Sequence, residues 1–152
     1  MTLQEYIDLI KDFAREDPDL LHIDNSREAV YACNYEEAVS LLSDISNRMV
    51  LLLPPYEKRV LSNQAMGNIW IKGGLAVAVQ YVEAEDYKGR LAIQSKAEAV
   101  LDRLYAYLFN TRGKEMLYGF DTASWESDTI GPIGTGHYGY YAEFNIKDGV
   151  KY

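Results

Sequence analysis

The sequence predicts an α+β fold, a mainly antiparallel sheet with helices packed on one face, and three observations carry that expectation. Apolar residues recur at helical spacing in two short N-terminal stretches and one long central stretch. They alternate with period two near residues 68–82 and again from residue 138. The last two extended stretches are neighbours in sequence, so they can pair as a hairpin. The element order reads α-α-β-β-α-β-β over a single domain, residues 1–152.

Leu3, Tyr6, Ile7, Ile10, Phe13 and Ala14 share one helical face, Thr2 is placed to cap it, and Pro18 ends it. The following DPDLLHIDNS reads as an irregular connection with a short extended piece at Leu20 to Ile23. Asn34 and Glu37 form a capping box for a second helix that carries Ala38, Leu41, Leu42 and Ile45. RMVLLLPP is a buried strand closed by Pro54-Pro55. Residues 55–67 have no strong period and read as a long loop, which is itself a functional signal.

Between Asn68 and Val82, Ile69, Ile71, Leu75, Val77, Val79 and Tyr81 share one face, and Gly73-Gly74 predicts a bulge or a bend. The longest helix spans residues 86–111, with Ile93, Ala97, Val100, Leu101, Leu104 and Leu108 as its stripe and Gly113 after its end. Glu83, Glu85 and Asp86 complement the positive end of its dipole. A strand from Met116 to Trp125 then precedes a turn through Ser127, Asp128 and Gly131.

The stretch IGPIGTGHYGYYAEFNI, residues 130–146, holds four glycines followed by aromatics. A phosphate cradle needs converging backbone amides and a helix N-terminus behind them. Here Tyr138, Tyr140, Ala142, Phe144 and Ile146 share one parity, the mark of a half-buried strand, and no lysine appears before Lys147. The glycines therefore read as a tight turn feeding the closing strand.

A formal charge of −8 opposes phosphate backbones, so no specific nucleic acid is expected as a partner. No apolar run approaches a membrane span, and the acidic start MTLQEYIDL reads as no signal peptide. The single cysteine, Cys33, suits a reducing cytoplasm. His22 and His137 lie outside any metal-ligand spacing, and His137 reads as a turn residue with its ring in solvent. Cys33 with His22 lacks an orienting third group, and Asp17, Asp19 and Asp24 read as solvated turn carboxylates rather than a cation loop. No catalytic residue, metal or cofactor is assigned. Thirteen tyrosines favour protein contact surfaces.

The stretches AEDYKGRLAIQSKAEAVLDRLYAYLFN and GFDTASWESDTIGPIGTGHYGYYAEFNI resemble small proteins of phage and prophage tails and necks. The resemblance lies in Asp86-Tyr87 at the helix entry, Gly119 to Asp121, and the closing strand from Ile130 to Phe144, over roughly residues 68–146. The element order is similar to that of tail-terminator and head–tail joining subunits, while the N-terminal third departs most. This implies a non-enzymatic structural subunit that forms a ring homo-oligomer with tail or neck neighbours, in the host cytoplasm during assembly and then in the virion. Tyr56, Lys58 and Arg59 are the expected interface residues, basic contacts on an acidic chain. The alternative is a module binding a small ligand or peptide in a pocket walled by Trp70, Tyr81 and Trp125.

Overall fold

The computed structural model describes residues 2–43, 45, 48–61, 68–80, 87–110, 120–133 and 136–149. The first helix, α1 (Leu3–Glu16), is opened by a reciprocal capping box: Thr2 Oγ1 accepts from the Glu5 amide, and the Thr2 amide donates to Glu5 Oε2. It buries Tyr6, Leu9, Ile10, Phe13 and Ala14. The Asp17 amide caps the Phe13 carbonyl, and Pro18 follows where a further helical amide would be needed.

The chain then forms β1 (Val30–Tyr31), α2 (Tyr35–Leu42) and β2 (Val50–Leu52), with β1 and β2 paired in parallel. A parallel pair needs a crossover, and α2 supplies it. The expected extended piece at Leu20 to Ile23 is instead a turn followed by a lone bridge between Ile23 and Arg27. The strand actually formed, β1, is two residues long, too short to leave a period.

Residues 57–61 correct the long-loop expectation. They form β3 (Glu57–Leu61), paired antiparallel with the first half of β4 (Asn68–Gln80), while β2 pairs with its second half. Alternation in EKRVL is hidden because three of its five residues are charged and its run is short. Then come α3 (Tyr87–Asn110), β5 (Phe120–Ile133) and β6 (His137–Gly149). The predicted helix start at residue 86 and stop at Gly113 lie outside the described residues.

β6 lies between β4 and β5 and pairs antiparallel with both, giving the order β1-β2-β4-β6-β5. The fold is α+β with a mostly antiparallel sheet. Pairing of β4 with β6 is unbroken across Gly73↔Phe144 and Gly74↔Glu143, so the two glycines make no bulge. The irregularities fall in β5, between Asp121 and Glu126 and between Ile130 and Ile133. At the first of them Ser124 Oγ accepts the Asn145 amide at 2.7 Å, a side chain standing in for a ladder acceptor. The turn expected through Ser127, Asp128 and Gly131 is therefore strand. The chain reverses between the Ile133 end of β5 and the His137 start of β6, with Gly136 at φ 106°.

Strand alternation sends side chains to two different cores. Leu51, Ile71, Leu75, Val77, Ala142, Phe144 and Ile146 face α1 and α3. Val50, Leu52, Ala76 and Ile133 join Cys33, Ala38, Leu42 and Ile45 in a smaller cluster under α2. The one-face expectation describes α1 and α3; α2 covers the other face.

Candidate functional site

Two features stand out on opposite sides of the sheet: a cross-braced loop at the end of α1 and a cavity beside α2. The loop begins with Asp17, which is 3% exposed. Its Oδ2 accepts from the Asp19 and Leu20 amides, at 3.1 and 3.2 Å, and so builds the next turn. Arg103 on α3 donates to Asp17 Oδ1 through Nε and to Asp19 Oδ2 through Nη2, each at 2.7 Å. These bonds, that to Asp17 first, raise the guanidinium's pKa and tie the turn to α3.

His22 braces the rest. Its Nδ1 accepts from the Ala29 amide at 3.0 Å, so Nε2 carries the proton donated to Asp24 at 2.8 Å. Asp24 also receives Arg15, and these bonds, the one from His22 first, hold its carboxyl below the usual range. The expected solvated turn carboxylates are thus an ion-pair and hydrogen-bond frame. Among the described residues no group of three or more His, Cys, Asp or Glu is placed to hold a metal ion.

Between these braces, two large apolar side chains face solvent. Leu21 is 41% exposed and Ile23 is 55% exposed, while His22 between them is buried. Leu21 adopts φ 44° where its amide closes the turn onto the Asp17 carbonyl, a position that glycine normally takes. Asn25 at φ 61° is at ease in that region; a leucine there is strained.

On the other face lies a cavity of about 200 Å³. Ala38, Leu52, Ala76, Ile130 and Ile133 give it apolar walls, and Gly74 leaves its floor without a side chain. Glu143 and Tyr141 stand at its edge. Glu126 is the direct cross-strand partner of Glu143, and both are exposed. Two like charges in that position repel each other.

Cys33 lies in the α2 cluster, its thiol donating to the Tyr31 carbonyl at 3.6 Å, and burial, with Glu37 nearby, pushes its pKa up. A thiol held protonated is a poor nucleophile, and both nitrogens of His22 are already engaged. His137 corrects the solvent-facing reading: it is 0% exposed, neither ring nitrogen has a hydrogen-bond partner, and burial pushes its pKa down against the opposing nearby Ile45 carbonyl. One sequence signal was available, since His137 stands directly before an alternating strand and must face one side or the other.

Trp125 stacks on Phe144 with centroids 5.4 Å apart and meets Tyr105 edge-on at 5.3 Å, so it packs beneath α3 and lines no part of the cavity. Tyr81, the Trp70 side chain, and Glu83, Glu85 and Asp86 lie outside the described residues. Tyr56 is tied to the core, edge-on to Tyr6 at 5.2 Å. Lys58 is exposed and lies over the Tyr56 ring, and the Arg59 backbone pairs with Trp70. The cavity was missed because it is assembled from residues distant in sequence, and the frame of the loop because its brace comes from Arg103 on α3. No family, curated protein or solved structure matches this chain. Among the described residues no helix is long and apolar enough to cross a membrane.

Proposed function

We propose that the protein is a non-enzymatic structural subunit of a phage virion, a head–tail connector or tail-terminator-like ring component. The observation that carries this reading is the pair of outer strands. Strand β3, which carries Lys58 and Arg59, lies toward one edge of the sheet, and β5, with exposed Glu126 and Asp128, forms the opposite edge. Subunits with opposite charge on opposite sides attract head to tail, the arrangement from which rings are built. The resemblance over residues 68–146 supports the same reading and names the setting. Lys58 and Arg59 make the contact with the adjacent subunit or tail partner, and Tyr56 steadies that strand from within.

The test is composition of the particle. After prophage induction in the source strain, mass spectrometry of purified virions should find this chain at a fixed copy number. Reversing Lys58 and Arg59 to Glu should leave the fold intact by circular dichroism and deplete the chain from particles. Virions complete in tail and neck proteins yet lacking the wild-type chain would overturn the reading. A second reading, a small-ligand module, draws on the apolar cavity beside α2; it predicts a bound small molecule in native mass spectra of the purified protein.

A further inference from the structure

The cavity beside α2 and the strained loop after α1 have matching chemistry. We propose that the loop of one copy, with Leu21 and Ile23 as its tip and Arg27 beside them, docks into the α2-side cavity of a second copy. This deepens the assembly reading by naming the partner, and rests on that reading only for the expectation that successive contacts close into a ring.

Four observations bear on the match. The first is size: engineered apolar cavities of about 150 Å³ take a benzene-sized guest, so one of about 200 Å³ suits a branched aliphatic side chain. The second is charge. Ile23 and Arg27 exchange both backbone hydrogen bonds, at 3.0 and 2.9 Å, so their side chains project on the same side. An aliphatic tip thus arrives with a guanidinium, and Glu143, which lines the cavity, and its cross-strand partner Glu126 are exposed like charges that repel each other. The guanidinium would relieve that repulsion.

The third observation is rigidity. Asp17, His22, Asp24, Arg15 and Arg103 hold the loop in place before any partner arrives, which lowers the ordering entropy lost on docking. The fourth is strain. Leucine stands at φ 44° where glycine would relax the backbone, and an exposed side chain offers little stability in return. A role outside the monomer accounts for a leucine there.

The loop is braced to α3 on one face of the sheet, and the cavity opens on the other. A chain therefore cannot fill its own cavity. The contact is heterologous, and repeated it gives a closed ring or an open filament.

Sedimentation and light scattering of the purified full chain over a concentration series test this. The wild type should self-associate. Ile23→Asp blocks the tip, and Gly74→Leu fills the cavity, where a Cβ meets its nearest neighbours at an ordinary 3.6 Å. Each should weaken association about tenfold or more while circular dichroism and melting remain those of a folded protein. Leu21→Gly should melt at the same or a higher temperature and yet associate less, a split that a purely structural leucine would not give. Mixing Ile23→Asp, which keeps its cavity, with Gly74→Leu, which keeps its tip, should give a one-to-one heterodimer that grows no further. A wild type that stays monomeric at the highest attainable concentration would overturn the docking, as would variants that associate as the wild type does. A virion protein that fails these assays would leave the structural-subunit reading standing and remove only the self-contact.

Discussion

Residues 73 and 74 are both glycine, are adjacent on β4, and sit on opposite faces of the same sheet. On the α1–α3 face, a Cβ at Gly73 would lie 2.8 Å from the Tyr6 hydroxyl and 3.0 Å from the Phe144 ring. On the α2 face, a Cβ at Gly74 would find its nearest atom, the Ala142 carbonyl oxygen, at 3.6 Å. The difference follows from what covers each side. Helices of 14 and 24 residues close the first face over an aromatic and aliphatic core. One helix of eight residues covers part of the second and leaves a cavity beside it. A sheet with unequal cover has one face committed to stability and one with room for a guest.

The largest expected effect tests how the second face is held where side chains are few. A Cβ at Gly139 would sit 1.8 Å from the Val77 carbonyl oxygen and 2.8 Å from the Ala78 Cα, so β4 and β6 approach there backbone to backbone. No rotamer change relieves a clash with backbone. Gly139→Ala should lower unfolding free energy by about 4 kcal/mol or more, or prevent folding altogether, as read by urea denaturation. A loss under about 1 kcal/mol would show that the two strands part easily, and the comparison between faces would lose its basis.

Gly73 and Gly74 form a matched pair across the sheet. Gly73→Ala must displace the Tyr6 hydroxyl or the Phe144 ring, and overpacking of this kind costs about 1–3 kcal/mol. Tyr6 has little freedom to move, because it is buried and its ring lies edge-on to Tyr56. Burial also raises its hydroxyl's pKa, with Tyr56 adding to the effect. Gly74→Ala meets no such obstacle and should stabilise by about 0.4–1 kcal/mol by restricting the unfolded chain. Equal changes at the two positions would erase the distinction between a filled face and an open one.

Period two on β4 and β6 was legible because both strands are long and send alternate residues to different faces, and the N-cap at Thr2 and the capping box at Asn34 were legible because they act within four residues. Gly73-Gly74 misled for a physical reason: sequence shows that a side chain is missing, and only packing shows whether backbone bends or a neighbour moves in. Tyr6, 67 positions away, is that neighbour. The site was less legible still. Asp17 and Arg103 meet across 86 positions, and the cavity gathers residues from β2, α2, β4, β5 and β6. Lys58 and Arg59 were found as a basic pair, but their place on a strand depended on pairing with residues 68–72, which a short charged run does not announce.

The smallest effect, and the one that separates the faces by pH, belongs to His137. It is buried at the start of β6 beside the Ile133 end of the α2-side cluster, with neither ring nitrogen hydrogen-bonded. Burial lowers its pKa in the folded chain, while the unfolded chain keeps the ordinary value near 6.5. Between those two values the unfolded state binds the extra proton, so stability is full above about pH 6.5 and falls as the pH drops below it. His137→Leu removes the titrating ring and the unpaired nitrogens together, so at pH 7 it should be as stable as the wild type or slightly more so. Between pH 7 and pH 5 its urea midpoint should fall less steeply than that of the wild type. Parallel slopes for the two proteins would mean that protonation of His137 is not what loosens the α2 face in acid.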